Sequence, residues 1–482
     1  MSTLKTNNQV LTKKAWAKAI INPATEFPST QLQVLSGKIP EGLRGTLYRN
    51  GPGRLERGGD RVGHWFDGDG AILAVHFRDY PPTAVYRYVQ TTGYQAETAA
   101  GKFLYSNYGM TAPGPLWQRW GKPVKNAANT SVLALPDKLL ALWEGDKPHA
   151  LDLETLETRG LENLGGLDDG LPYSAHCKRD PHTGYIFNFG ITAGVKGKLN
   201  LYKSDPTGKI LQKTTFLLDG IPAIHDFVMA GPYLVFFVSP LRLNPWPLLA
   251  GLSSYSESFE WKPQLGTQIL VFDRETLSLV SRGETDPCFQ WHFANGWVDS
   301  TGSIIIDFAR YPDFVTNQYL KEVASGQTKT FAKATLWQVR LEPQTAKVQQ
   351  AEEVLNRHCE FPIVSPSEVG QMSRYTYLAV QREGVDISQE MFGAIARFDS
   401  QTGTLTCADF GENRYPSEPI YAPDILNPDR GWILTLVYDG NSDSSEVWIF
   451  DSEGIAGEPV CRLALPSVVP MGFHGTWKSA QS

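Results

Sequence analysis

Apolar and polar positions along the chain follow one short pattern that returns seven times. Each copy has a few apolar residues, a carboxylate, a turn and a second alternating run, as in LVFDRETLSLV (270–280). Alternation with a period of two on both sides of a polar turn is typical of a β-hairpin, whose turn Asp accepts backbone N–H bonds. The seven carboxylates are Asp79, Asp152, Asp205, Asp273, Glu342, Asp399 and Asp451.

The spacing of these copies predicts the architecture. Successive carboxylates are 73, 53, 68, 69, 57 and 52 residues apart. A four-stranded propeller blade takes about 40–50 residues, so each interval holds one blade and a loop insertion. We therefore predict an all-β, seven-bladed β-propeller, with loops and short helices capping one end of the axis. Helical pattern is scarce and is expected only at 12–20 and 116–120.

Composition indicates a single folded unit. No linker or composition shift divides the chain, so residues 1–482 are predicted to form one domain with a flexible N-terminal arm at 1–25. The hydrophobic fraction of 41% is enough for a large core. A net charge of −7 without a basic tract argues against nucleic-acid binding. We expect a monomer.

The cysteines and the apolar runs of the sequence indicate in which cellular compartment the protein is located. The five cysteines include no CxxC pair, which argues against a disulfide scaffold and a cysteine zinc site. The first 20 residues lack the apolar core of a signal peptide, and no run of 18 apolar residues occurs. A reducing, cytoplasmic location is the prediction.

Four of the nine histidines share one position relative to the repeat. They follow a repeat carboxylate by 24, 20, 19 and 23 residues, and they are His176, His225, His292 and His474. In a propeller this offset falls on the next blade's innermost strand, so the four imidazoles converge on the axis. Neutral imidazoles suit Zn, Cu, Fe or Ni. The register therefore predicts a metal site with positions left free for a small molecule such as O2.

Three glutamates are candidates to orient these imidazoles. Glu360 and Glu418 stand 18 and 19 residues after a repeat carboxylate, and Glu144 ends an apolar strand. Metal-bound imidazoles usually donate their second N–H to a carboxylate, so one of the four is expected to lack a glutamate. His358 shares the strand face of Glu360 and is a rival ligand. His64 is predicted to be structural.

The motifs around these residues resemble those of the carotenoid cleavage oxygenases, and within them the cyanobacterial apocarotenoid branch. The resemblance covers nearly the whole chain and rests on GTLYRNGPG (45–53), HWFDGDGAI (64–72), KNAANT (125–130), LALWEG (140–145), SAHCKRDP (174–181), IHDF (224–227), HFAN (292–295), EFP (360–362) and MGFHGTW (471–477). One departure is Cys177, where relatives often carry Pro.

The resemblance implies both a cofactor and a reaction. It implies that the four histidines bind non-haem Fe(II) and that Glu144, Glu360 and Glu418 form the outer shell. It implies an enzyme that cleaves a conjugated C=C bond of an apocarotenoid with O2, of the retinal-forming type, giving two carbonyl products. Alternatives are cleavage of a stilbene or a full-length carotenoid, and, in another class, a non-catalytic propeller that binds a protein partner.

One apolar segment, VSPLRLNPWPLLAGL (238–252), is broken by three prolines and carries one charge. It is too short to span a bilayer, but an exposed apolar patch of this size normally marks a membrane or partner contact. We predict peripheral membrane attachment through Leu241, Leu243, Trp246, Leu248, Leu249 and Leu252. The alternative is a buried cap on the propeller.

Overall fold

Antiparallel hairpins make up nearly all of the regular structure. The computed structural model describes residues 14–119 and 122–480. The strands of the first sheet, in spatial order, are Phe27–Gln31, Thr83–Tyr88, Asp69–His76, Gly45–Arg54 and Gly475–Ser479. The second contains Thr158–Leu161, His149–Leu151, Leu139–Leu142 and Ser131–Ala134. The third contains Lys178–Arg179, Ile186–Thr192, Lys198–Ser204 and Ile210–Leu217.

The later sheets are larger on average. The fourth contains Leu279–Thr285, Thr267–Asp273, Tyr233–Val238, Val228–Ala230, Phe293–Val298, Ile304–Arg310, Thr335–Glu342 and Lys347–Leu355. The fifth contains Cys359–Ile363, Tyr375–Val380, Ala394–Asp399 and Thr404–Asp409. The sixth contains Gln33–Gly37, Cys461–Ala464, Ser444–Asp451, Gly431–Asp439 and Arg414–Pro416, with Ile420–Pro423 also on Gly431–Asp439. Two-stranded ribbons pair Leu241–Leu243 with Phe259–Trp261 and Glu56–Arg57 with Asp60–Arg61.

The prediction of an all-β, propeller-like fold is confirmed by these sheets, although they do not divide into seven separate units. Within the described residues, six sheets have four or more strands. The fourth has eight because a parallel pair, Ala230 with Gly296, joins two four-stranded antiparallel halves. A Cβ on Gly296 would lie 2.9 Å from a Val228 methyl, so only glycine permits this approach. The spacing of the repeats along the sequence does not predict a parallel pair that joins two neighbouring sheets.

The predicted carboxylate turns are present in six of the seven copies. The Asp205 carboxylate accepts the N–H of Thr207 at 2.8 Å and that of Lys209 at 3.1 Å. Asp79 makes no such bond among the described residues, although its hairpin forms. The remaining turns of this kind are at Asp152, Asp273, Glu342, Asp399 and Asp451.

Helices are few and short. The α-helices are Ala17–Ile21, Thr92–Ala100, Leu116–Arg119, Pro245–Leu249 and Val315–Val323; the 3-10 turns are Trp65–Asp67, Ser256–Ser258, Pro263–Leu265 and Pro366–Glu368. No helix in the described part of the chain has the length and apolarity needed to cross a bilayer. Of the predicted N-terminal arm, residues 1–13 lie outside the described residues, whereas Trp16 and Ile20 are buried in a cluster with Tyr415 and Tyr438.

The two ends of the described chain meet in the first sheet. Gly475–Ser479 pairs with Gly45–Arg54, so the last strand joins the first repeat unit. A buried cluster between the first and sixth sheets includes Leu47, Leu73 and Leu434. Each buried Leu contributes about 1.5–3 kcal/mol, so these layers hold the inner strands in place around the axis.

Candidate metal centre

Four buried histidines meet where the inner strands begin. One ring nitrogen from each of the four lies within 4.8 Å of the corresponding nitrogens of the other three. The Nε2 atoms of His176 and His225 are 2.8 Å apart, and those of His292 and His474 are 3.1 Å apart. Nitrogen lone pairs this close repel unless a cation or proton lies between them. The donor set therefore fits a transition metal of the kind that imidazole prefers.

The repeat register explains why the four converge. His292 directly precedes the strand Phe293–Val298, and His474 directly precedes Gly475–Ser479. His176 and His225 lie two and three residues before their own inner strands. The structure thus brings together all four histidines that the sequence selected, each from a different repeat.

Three of the imidazoles contact the three predicted glutamates. Nδ1 of His292 lies 2.5 Å from Glu360 Oε2, and Nδ1 of His474 lies 2.8 Å from Glu418 Oε1. Nδ1 of His225 pairs with Glu144. Donation of Nδ1–H to a carboxylate fixes the tautomer and leaves the Nε2 lone pair directed at the common centre.

His176 has no glutamate partner. The nearest carboxylate is that of Asp226, 4.0 Å from its Nδ1. Asp226 is already engaged, because it accepts from Lys178 Nζ at 2.8 Å and from the Phe293 N–H at 2.9 Å. Burial holds the pKa of His176 well below its usual value, and the three neighbouring imidazoles lower it further. The ring therefore stays neutral, as a ligand must.

One charged residue of this centre, Arg49, was not predicted from the sequence. Arg49 is buried, and its Nη1 donates to Glu418 Oε2 at 3.2 Å and to the Glu418 carbonyl at 2.9 Å. The Gly475 N–H donates to the same Oε2 at 2.8 Å. Arg49 thus fixes the carboxylate that holds His474. An arginine inside the apolar, glycine-rich GTLYRNGPG run was the available signal.

A strained residue lies against the centre. Phe361 has a φ of 54°, a conformation that bulky residues rarely adopt, at a register shift in its strand. The irregular backbone lets the Phe361 N–H donate to Glu360 Oε2 at 2.9 Å. It also stacks the Phe361 ring on His292, with centroids 5.1 Å apart. The Phe361 ring therefore covers one side of His292 and also contacts His474, with centroids 5.4 Å apart.

A cavity of about 710 Å³ is lined by three of the four clustered histidines, His225, His292 and His474. Aromatic side chains form much of its wall, including Trp65, Phe66, Tyr108, Trp143, Trp291 and Phe473. A cavity of this size and lining suits a drug-sized apolar molecule. His358 also lines it but does not belong to the group of four histidines whose nitrogens converge, and its Nδ1 accepts from the Ala334 N–H at 3.1 Å. The rival assignment of His358 as a ligand is therefore wrong.

The 238–252 segment is only partly exposed. Leu241 and Leu243 are 0% and 8% exposed, so their assignment to a membrane patch is wrong. They alternate with Arg242 in a short strand paired with Phe259–Trp261, and the alternation directs both leucines inward. Trp246, Leu249 and Leu252 are exposed by 76%, 69% and 68%, and Leu248 is half-buried.

Known proteins share both the sequence and the fold. The family model described as RPE65, retinal pigment epithelial membrane protein, matches residues 21–479. Apocarotenoid-15,15'-oxygenase of Synechocystis is 33% identical over 92% of each chain. Resveratrol cleavage oxygenase 1 of Aspergillus fumigatus is 26% identical over 93% of this chain and 92% of the relative.

Solved structures agree. Cobalt-substituted Synechocystis apocarotenoid oxygenase superposes with a TM-score of 0.88 at 32% identity, over 97% of this chain and 98% of that one. The residues matched by the family model, 21–479, include the strands of all six large sheets and the four clustered histidines. The chain belongs to the RPE65, or carotenoid cleavage oxygenase, family.

Proposed function

We propose that this protein is a non-haem Fe(II) dioxygenase that cleaves a conjugated C=C bond of an apocarotenoid with O2, of the retinal-forming type, giving two carbonyl products. The observation that carries the proposal is the buried four-histidine cluster at the wall of an aromatic cavity. The relative named apocarotenoid-15,15'-oxygenase supports the substrate class.

The proposed iron would be held by His176, His225, His292 and His474. Four neutral imidazoles fit Fe(II), and the carboxylates behind three of them offset the charge of the ion. When bound, the ion supplies activation of O2 beside the alkene.

The chain's own residues would position and shield the reactants. Phe66 packs edge-to-face against both Trp291 and Phe473, with ring centroids 5.5 Å and 5.2 Å apart, and the three rings form a wall beside the histidines. Such a wall holds a flat polyene and excludes water. The three glutamates accept the Nδ1 protons of His225, His292 and His474, so the neutral forms of these rings would present their Nε2 lone pairs to the iron.

Metal analysis and product analysis test this function together. Protein loaded with Fe(II) without O2 should retain about one iron per chain and, on admission of O2, convert one apocarotenal into two carbonyl compounds. His225→Ala should lose both iron and turnover, whereas His182→Ala, in a turn outside the cluster, should lose neither. Full iron retention after substitution of two of the four histidines would disprove the ligand assignment.

Three alternatives are distinguished by the same measurements. Cleavage of a stilbene instead of an apocarotenal would favour the branch that includes resveratrol cleavage oxygenase 1. A full-length carotenoid would give products of different length. A non-catalytic binding module would carry no iron, and His225→Ala would not impair its function.

The proposal also includes the number of propeller blades and the segments that cap the cavity. Counting the two halves of the eight-stranded sheet separately gives seven blades, because the halves share only the Ala230–Gly296 pair. The cap over the cavity would come from the segments around Leu116–Arg119 and Pro245–Leu249, since Arg119, Leu248 and Leu249 line the cavity.

We also propose peripheral membrane contact at this cap, for a monomer in the cytoplasm. Trp246, Leu249 and Leu252 are exposed beside the cavity, and Trp117 is 72% exposed on the neighbouring segment. The Arg119 guanidinium donates to the Gly251 carbonyl at 3.0 Å and so joins the two segments. Burying the three large side chains in acyl chains would contribute about 5 kcal/mol, which suits reversible attachment.

A further inference from the structure

One wall of the aromatic cavity carries a free hydrogen-bond donor. His358 lies two residues before Glu360, so the two side chains leave the same face of the strand about 7 Å apart. Both line the cavity. Phe392 covers the His358 ring, with centroids 4.9 Å apart, and the Nε2 atom has no partner among the described residues.

The surrounding backbone fixes the tautomer of His358. The Ala334 N–H donates to Nδ1 at 3.1 Å, and the Ala334 carbonyl, which accepts from the Cys359 N–H at 3.2 Å, lies 3.3 Å from the same Nδ1. A backbone N–H has a fixed hydrogen and can only donate, so its approach to Nδ1 requires a lone pair on that nitrogen. Nδ1 is therefore the acceptor, and the proton of the neutral ring is on Nε2. Burial lowers the pKa of His358 to about 4, so the ring is neutral at physiological pH.

A free acceptor stands beside this donor. Gln381 is buried opposite His358, and its N–H bonds to the His358 carbonyl at 3.0 Å. Directly opposed residues in an antiparallel pair have Cβ atoms about 4.5–5.5 Å apart on the same face. The Gln381 amide nitrogen points to the Glu390 carbonyl at 3.5 Å, which leaves Oε1 for the cavity.

We infer that His358 and Gln381 form a subsite for a hydroxyl group of the substrate, beyond the reacting bond. A hydroxyl oxygen accepts from His358 Nε2–H, and its proton is donated to Gln381 Oε1. An aldehyde would satisfy only the donor, and a hydrocarbon end group would leave both polar groups unpaired in an apolar cavity. This inference rests on the proposed function and narrows its substrate to an apocarotenoid with a hydroxylated end group.

A matched pair of compounds tests the subsite. Two apocarotenals of equal chain length, one with a ring hydroxyl and one without, are titrated into Fe(II)-loaded protein under nitrogen, with tryptophan fluorescence reporting Kd. KM for cleavage follows in air. We expect the hydroxylated compound to bind about tenfold more tightly, which corresponds to about 1.4 kcal/mol.

Variants connect this preference to the two side chains. His358→Leu and the near-isosteric Gln381→Met should each reduce the ratio of the two Kd values to about one or two. His358→Gln, which retains an N–H near the Nε2 position, should keep part of the preference. His182→Leu should keep all of it.

The possible results separate failure of the subsite from failure of the substrate assignment and of the proposed reaction. An equal Kd for both compounds in the wild type, or an unchanged ratio in the folded Leu and Met variants, overturns the subsite. Selective binding of a hydroxylated stilbene over both apocarotenals overturns the assignment to an apocarotenoid. If neither apocarotenal is cleaved but the tenfold binding ratio is present and His358-dependent, the proposed reaction fails while the subsite stands.

Discussion

Replacing Glu360 by Gln should weaken metal binding without disturbing the fold. Glu360 Oε2 accepts from His292 Nδ1 at 2.5 Å and from the Phe361 N–H at 2.9 Å. Burial by itself would lower the pKa of His292, but the facing Glu360 carboxylate and two further carboxylates raise it above its usual value. Glutamine keeps the shape and an acceptor oxygen but removes the charge.

The size of the effect follows from this contact. A hydrogen bond to a charged group contributes about 1.5–3 kcal/mol and a neutral one about 0.5–1.5 kcal/mol. The difference of about 1–2 kcal/mol corresponds to roughly 5–30-fold weaker metal binding. Outer-shell partners generally affect affinity by about 10–100-fold, which overlaps this range.

Anaerobic titration with Fe(II) against a competing chelator measures the Kd directly. Glu352→Gln, an exposed change of the same type, is the matched control and should leave the Kd unaltered. Thermal melting of the metal-free proteins checks that both variants fold. Wild-type affinity in a folded Glu360→Gln protein would refute the role of this carboxylate.

Three further outcomes are expected. Trp246→Glu with Leu249→Glu should reduce liposome binding and slow cleavage of membrane-delivered substrate much more than of detergent-solubilised substrate; unchanged liposome binding would contradict the proposed contact. Arg49→Met leaves Glu418 buried without its cation, so the free energy of unfolding should fall by about 3–5 kcal/mol, and a loss below 1 kcal/mol would contradict this reading. Burial raises the pKa of Asp307 to about 7, above its unfolded value, so its contribution to stability is present below about pH 4 and is lost as the pH rises towards 7. Asp307→Asn should therefore raise the melting temperature at pH 8 more than at pH 5, and equal shifts would argue against it.

The metal centre was largely predictable from sequence because repeats impose geometry. Equivalent offsets in different repeats lead to equivalent places in a ring of sheets, which is why His176 and His474, almost 300 residues apart, reach one point. Glu360 and Glu418 followed from the same register and from the cost of burying an unpaired carboxylate, and Glu144 followed from its place at the end of an apolar strand. The hairpin turns were predictable because the turn carboxylate accepts hydrogen bonds from backbone N–H groups only a few residues away in the sequence.

Other features depended on contacts that no local pattern encodes. The joining of two repeat units into one sheet depends on the close approach at Gly296. The pairing of Arg49 with Glu418 spans 369 residues. The 238–252 segment looked uniformly apolar, yet Leu241 and Leu243 are buried because a distant strand, Phe259–Trp261, pairs with theirs.

The sequence by itself therefore determined the repeat, its turns and the residues able to hold a metal, since these follow from periodicity and side-chain chemistry. Only the tertiary structure decided which apolar residues face solvent, which arginine fixes Glu418, and that His358 presents a free Nε2–H to the cavity. Those depend on the partners that each side chain meets across the fold, and burial and hydrogen bonding are properties of the pair rather than of the residue.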